Sequence, residues 1–254
     1  MRDSRPRCSA TRSCRNRRSN ETENQLTNLF GRLDRYRSLA IPLLAGSTAC
    51  VLALLFVHLG SEVNEGETHR FDTYVLHGAQ ALRLAHPWLA DVMRDLSGLG
   101  STAVLALLTI GVCGYLALTS AWFTSAIVAV SVSSAAAAVE LLKSGFGRLR
   151  PESAFAQFAA PGLSFPSGHS SLSAVVFLTL GVLLARMHER PRERWYIMGA
   201  ATLFTILVGI SRAALGVHWS TDVLGGWAFG TAWATIWLLA TRWLDRRALV
   251  LVTG

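Results

Sequence analysis

Between Asp95 and Glu140 the chain runs for 44 residues, 96–139, without a charged side chain. As one α-helix that run would reach about 66 Å, twice a hydrocarbon core roughly 30 Å thick. It must therefore be two membrane spans, and the polar pair Thr119–Ser120 marks the tight turn between them. Four further apolar stretches of similar kind follow or precede it, so six spans are expected, at 39–59, 101–119, 122–142, 170–184, 195–211 and 221–241. A chain of 254 residues with 51% hydrophobic and 16% charged residues has room for one membrane domain and no separate soluble domain of usual size. The expected fold is all-α: a six-span transmembrane helical bundle.

The formal charge of +8 suggests nucleic acid, but its distribution points elsewhere. Ten arginines precede residue 38, and most others flank apolar stretches. Such charge sets membrane orientation. With the N-terminus inside, the inner segments hold 17 of the 24 lysines and arginines and the outer segments seven. That asymmetry predicts both termini in the cytoplasm of a multi-pass cell-membrane protein, with no nucleic-acid partner. Residues 1–38 read as a disordered basic cytoplasmic tail, or alternatively as a targeting peptide. Residues 39–246 form the membrane domain and 247–254 a short cytoplasmic tail. The outer connection 61–99 carries Phe71, Val75, Leu82, Trp88, Leu89 and Met93 among polar residues. It reads as amphipathic helices at the outer interface, separated by Pro87. Cys8, Cys14, Cys50 and Cys113 have no metal-ligand spacing with histidine, so neither a disulfide framework nor a zinc site is expected.

Three polar clusters fall at the outer ends of spans. The first runs from Lys143 through Arg148 to Arg150-Pro151, and the second is Pro166-Ser167-Gly168-His169. The third runs from Ser211-Arg212 to His218 and Asp222. The proposed topology puts all three on one side of the membrane although they are distant in sequence. Lys143, Arg150 and Arg212 are cations near the membrane surface, and a charge at bilayer depth costs about 2.5–3.5 kcal/mol or more. Brought together they would bind a phosphate, the arginines clamping its oxygens in pairs. Amides of Ser167, Gly168 and His169 at a helix start would point at the same anion, with the Ser167 hydroxyl beside them. Gly168 lets the backbone approach closely. His218 and Asp222, four apart, share a helical face. A carboxylate on one imidazole nitrogen leaves the other free to attack, and His169 is then available to protonate a leaving oxygen.

These residues resemble the type-2 phosphatidic acid phosphatase (lipid phosphate phosphatase) superfamily. Its signature is Lys, six residues, Arg-Pro; then Pro-Ser-Gly-His; then Ser-Arg, five residues, His, three residues, Asp. All eleven fixed positions are present in order: Lys143, Arg150, Pro151, Pro166, Ser167, Gly168, His169, Ser211, Arg212, His218 and Asp222. The resemblance covers roughly 39–241. It implies a phosphohydrolase that needs no metal or other cofactor and works through a phosphohistidine intermediate. His218 would be the nucleophile, Asp222 its orienting partner and His169 the general acid. Lys143, Arg150, Ser167, Gly168 and Arg212 would hold phosphoryl oxygens, while Pro151, Pro166 and Ser211 shape the motifs. Asp222 is also the only carboxylate in the three clusters, whereas two-metal sites need several oxygen or histidine ligands.

The substrate class implied is a lipid phosphate or prenyl diphosphate, such as undecaprenyl diphosphate, phosphatidic acid or phosphatidylglycerol phosphate, reached from among the membrane lipids. A phosphotransferase would use the same residues, and a non-catalytic lipid-binding or transport protein is the reading from another class. Arg148 occupies no fixed motif place and reads equally as an interfacial anchor. Glu140 is a charge inside a span, one turn before Lys143, which it can neutralise; a substrate role is the alternative. Gly226 and Gly230 match a small-residue dimer motif, whose ordinary use in a bundle is close packing within the chain. Oligomeric state is not legible.

Overall fold

The computed structural model describes residues 40, 42–152, 155–156 and 162–253. The 1–38 tail lies outside these residues. The chain divides into two compact units, Met1–Ala45 and Gly46–Gly254. The first contributes to the described part only the opening of a helix, and the second contains the bundle and the site.

Among the described residues eight helices follow one another: α1 Pro42–Glu65, α2 His69–Ala85, α3 Trp88–Leu99, α4 Thr102–Leu118, α5 Trp122–Phe146, α6 Gly168–Arg186, α7 Pro191–Ala214 and α8 Ser220–Thr253. Among the described residues six stretches are long and apolar enough to cross a membrane, with α3 and α4 counted together as Trp88–Leu118. The uncharged run 96–139 holds the last residues of α3, all of α4 and most of α5, and its two membrane spans are parted as expected. It turns at Thr119–Ser120, where Ser120 takes a φ of 63°. Gly100 and Ser101 break α3 from α4, and the Ser101 hydroxyl accepts from the Val104 amide at 3.3 Å, capping α4. α5, α6 and α7 run past the apolar limits read from sequence, whereas α4 stays within them. Pro191 sits in the first turn of α7, and α8 continues through 247–253 without a break at 246.

α6 lies at the centre, packed most extensively on α7 and α8 and also on α5. Small residues permit this. Val175, Ala174, Ser170, Ser171 and Ser173 of α6 are fully buried. A β-carbon on Gly226 of α8 would stand 2.8 Å from Ser170 Cβ, and one on Gly230 would run into the Ser171 carbonyl. The Gly226–Gly230 motif therefore serves packing within the chain. At the site end of α6, Phe165 is fully buried against Phe56 of α1, stacked at 5.6 Å, and Phe146 of α5, edge-on at 4.8 Å. This aromatic cluster fastens the segment that leads into Pro166-Ser167-Gly168-His169.

Pro87 separates α2 from α3 as expected. The orientation of α2 is the less obvious feature. Its apolar residues Phe71, Tyr74 and Leu82 are exposed, while Asp72, Leu76 and Arg83 are buried toward the bundle. In a membrane protein that polarity is physically sound: apolar atoms can face lipid, and polar groups need partners inside.

Candidate active site

Gly147 closes α5 in the left-handed conformation (φ 62°), its amide donating to the Lys143 carbonyl at 2.9 Å. This turn throws Arg148, Leu149 and Arg150 across the mouth of the bundle. The Ser164 amide donates to the Arg148 carbonyl at 2.8 Å, tying the return segment back to it. Ser167 then caps α6, accepting weakly from the Ser170 amide at 3.5 Å and from the Ser170 hydroxyl at 3.0 Å. Its own amide donates to the Asp222 carbonyl at 3.0 Å, joining the starts of α6 and α8.

His218 lies in the α7–α8 turn and is fully buried. Its Nδ1 is 3.4 Å from Asp222 Oδ2, which also accepts the Trp219 amide at 2.9 Å. Its Nε2 is 3.0 Å from Arg150 Nη1. A guanidinium can only donate, so Nε2 presents its lone pair to Arg150 and the ring proton belongs on Nδ1, toward Asp222. Burial pushes the imidazole down to about 4, opposed by the hydrogen bond and charge of Asp222 and reinforced by Arg150 and Arg212. The ring is therefore neutral near pH 7. Burial also lowers the Arg150 pKa, with Asp222 and Glu140 opposing. Arg150 is held in place by donation to the Val217 carbonyl at 2.8 Å and to that of Gly162 at 3.2 Å.

The other cations gather round this histidine. Arg212, buried on α7, donates to Ser97 of α3 at 2.8 Å. Lys143 Nζ would stand 3.4 Å from a β-carbon on Gly168, so the ammonium lies close against the start of α6. His169, on the first turn of α6, feels the charges of Arg212, His218, Arg150 and Lys143. Residues from α5, the 147–167 connection, α6, α7 and α8 thus meet at one end of the bundle. The Ser211 hydroxyl donates back to the Val208 carbonyl within α7 at 2.7 Å. Glu140 pairs with Lys143 at 2.7 Å while its own side chain stays largely exposed. Among the described residues no three of His, Cys, Asp and Glu gather into a metal-holding group.

Arg148 is the chief surprise. It bridges two buried carboxylates, Nη1 to Asp222 Oδ1 and Nη2 to Asp72 Oδ2, each at 2.6 Å, and lies over the Trp219 ring at 5.4 Å. Asp72 also accepts from the Thr221 amide at 2.9 Å and from its hydroxyl at 2.6 Å. Asp72, Thr221 and Ser97 escaped the sequence reading. The available signal was the spacing of Thr68, Asp72 and Leu76, which puts two polar side chains on one stripe of α2. Arg83 belongs to the same hidden set, donating to the carbonyls of Ala214 and, at 2.8 Å, Phe155.

The PAP2 superfamily model matches residues 122–246, the stretch that contains every motif residue. Phosphatidylglycerophosphatase B of Bacillus subtilis (strain 168) is 30% identical over 184 residues, which cover 70% of this chain and 87% of the relative. The chain belongs to the PAP2 superfamily. Membership agrees with the solved structure described as the first transmembrane PAP2 type phosphatidylglycerolphosphate phosphatase, from Bacillus subtilis. That structure superimposes with a TM-score of 0.69 at 27% identity, covering 79% of this chain and 96% of that one. Shorter similarities join other members. A lipid A 1-phosphatase of Rhizobium johnstonii is 34% identical over 105 residues, 38% of each chain. An undecaprenyl-diphosphatase of Sulfolobus acidocaldarius is 35% identical over 68 residues, covering 27% of this chain and 29% of the relative.

Proposed function

We propose that this PAP2 protein is an integral membrane phosphohydrolase that removes phosphate from a lipid phosphate or prenyl diphosphate through a phosphohistidine intermediate. The observation that carries the reading is the setting of His218: Nδ1 toward Asp222, Nε2 toward a cluster of cations. A phosphoryl group entering between Lys143, Arg150 and Arg212 would draw Arg150 onto its oxygens and release the Nε2 lone pair. Nε2 then forms a bond to phosphorus as the bond to the lipid oxygen breaks. His169, whose protonated form the incoming phosphate favours, gives its proton to that oxygen. Asp222 stabilises the cationic phosphoimidazole. Water next attacks phosphorus, His169 takes back a proton, the N–P bond breaks and phosphate leaves. The amides at the start of α6 and the Ser167 hydroxyl serve the developing negative charge.

Relatives named for phosphatidylglycerophosphate, lipid A 1-phosphate and undecaprenyl diphosphate support a phosphate anchored to a lipid. The 17-to-7 charge asymmetry supports an extracytoplasmic site with both termini inside. That Asp222 is the only carboxylate in the three motif clusters supports a reaction without metal. Purified protein in detergent, given a panel of lipid phosphates and diphosphates in excess chelator, should release inorganic phosphate and be inhibited by vanadate. Full loss on chelation with rescue by magnesium, or transfer of phosphate to a lipid hydroxyl in place of water, would overturn the reading. A probe cysteine replacing Ala156 in a cysteine-free background should label from the outside of intact cells. Labelling only after the inner face is opened would reverse the orientation.

A further inference from the structure

We infer that Asp72, on α2, is a positioning residue for the reaction, acting through Arg148 and Thr221 to hold Asp222 and, with it, His218. The inference rests on the reading of His218 and Asp222 just given. Asp72 is completely buried, and both of its oxygens are engaged: Oδ1 by the Thr221 amide, Oδ2 by the Thr221 hydroxyl and Arg148 Nη2. Arg148 spends its other nitrogen on Asp222 Oδ1 and on Thr221 Oγ1 at 2.8 Å. The ring of contacts is therefore closed. Asp72 grips the first turn of α8 directly through Thr221 and indirectly through Arg148, and the next residue on that turn is Asp222.

Charge gives the arrangement a second purpose. With Arg148 alone, Asp222 would be neutralised and would offer little to a cationic phosphoimidazole. Asp72, Arg148 and Asp222 together carry one net negative charge. That charge faces His218 against Arg150 and Arg212. A guanidinium shared between two carboxylates fixes the position of Asp222 while leaving its charge available to the imidazole. Asp72 itself touches neither His218 nor the phosphate pocket, so its influence is on geometry and charge at Asp222.

The test is steady-state kinetics on phosphatidic acid with the full-length protein in detergent, alongside thermal melting of each variant. The variants are Asp72→Asn, Arg148→Gln, their double variant, Thr221→Val and His218→Ala. Asp72→Asn is expected to lose kcat by about 10²-fold, the scale of a small misplacement of reacting groups. KM should stay near the wild-type value, because the phosphate contacts are intact. Asp72→Asn combined with Arg148→Gln should lose less than the product of the single losses, because both act on one carboxylate. If Asp72→Asn fails to fold, Thr221→Val, nearly the same shape, should show a smaller loss confined to kcat. Wild-type kcat in the folded Asp72→Asn variant, or in Thr221→Val where it stands in, or a loss carried by KM, overturns the role of Asp72. So do multiplying single losses. An active His218→Ala defeats the underlying reading as well; a dead His218→Ala beside a normal Asp72→Asn defeats only the present inference.

Discussion

Arg150 Nη1 stands 3.0 Å from His218 Nε2, so the arginine covers the very lone pair that the proposed chemistry needs. Together with burial and Arg212, it favours the neutral ring, whose pKa is pushed down to about 4 against the pull of Asp222. A lowered histidine pKa means that the nucleophile stays unprotonated through the neutral range and is lost only as pH falls toward 4. The acid limb of kcat/KM due to His218 should therefore lie well below an ordinary histidine's 6.5. Asp222→Asn removes the groups that raise the pKa, so its limb should move further toward acid while kcat falls. Comparing the two proteins on the same substrate cancels the titration of the phosphate itself. A limb that moves upward in Asp222→Asn would contradict the assignment.

The two histidines should separate by leaving group. Loss of His218 removes the phosphoenzyme, so His218→Ala should abolish turnover of both phosphatidic acid and a prenyl diphosphate. His169→Ala should cost about 10²–10⁴-fold on phosphatidic acid, whose alkoxide needs a proton. On a diphosphate the loss should be much smaller, because a phosphate monoester departs as a stable anion. Initial rates of both variants on both substrates decide it. Equal losses for His169→Ala would assign that residue to phosphate binding.

Lys143 lies against the glycine that opens α6 and pairs with Glu140, a pair with which the phosphate of the proposed reaction would have to compete. Both Lys143→Met and Lys143→Arg should lower kcat/KM, the first by about 10²-fold or more, as for loss of a charge-stabilising donor. Arginine fails because its planar fork does not fit where a point charge was. Glu140→Gln should be far milder. Near-normal rates in Lys143→Met would leave the lysine as an interfacial anchor.

The α6–α8 contact should be sensitive to a single methyl group. In Gly230→Ala the new β-carbon meets the Ser171 carbonyl, which is backbone and cannot rotate away. Overpacking of this kind costs about 1–3 kcal/mol. A lower melting temperature in detergent is expected, with smaller effects at Gly46, where nothing lies within 4 Å of a β-carbon. An unchanged melting temperature for Gly230→Ala would mean that the helices separate without penalty.

The sequence by itself determined the number of spans, the turn at Thr119–Ser120, the break at Pro87 and three polar clusters. These are local properties: apolar length, helix-breaking residues and short motifs are complete within a few turns of chain. What the clusters do to one another was decided only in three dimensions. Lys143, Arg150, His169, Arg212 and His218 could be named individually. That Arg150 takes the lone pair of His218, or that Glu140 takes Lys143, depends on where each side chain points. Spacing could set Asp72 on a polar stripe with Thr68 but could not find its partners, because Arg148 and Thr221 lie 76 and 149 residues away. A lone aspartate in an amphipathic loop carries no pattern that announces a buried ion pair. Arg148 had no motif place, and its bridge between Asp72 and Asp222 exists only once α2 turns its polar stripe inward and α8 meets it. Hydropathy read along the chain says which segments can enter lipid. The pairing of buried charges is settled by packing, since each must find a partner wherever the fold places one.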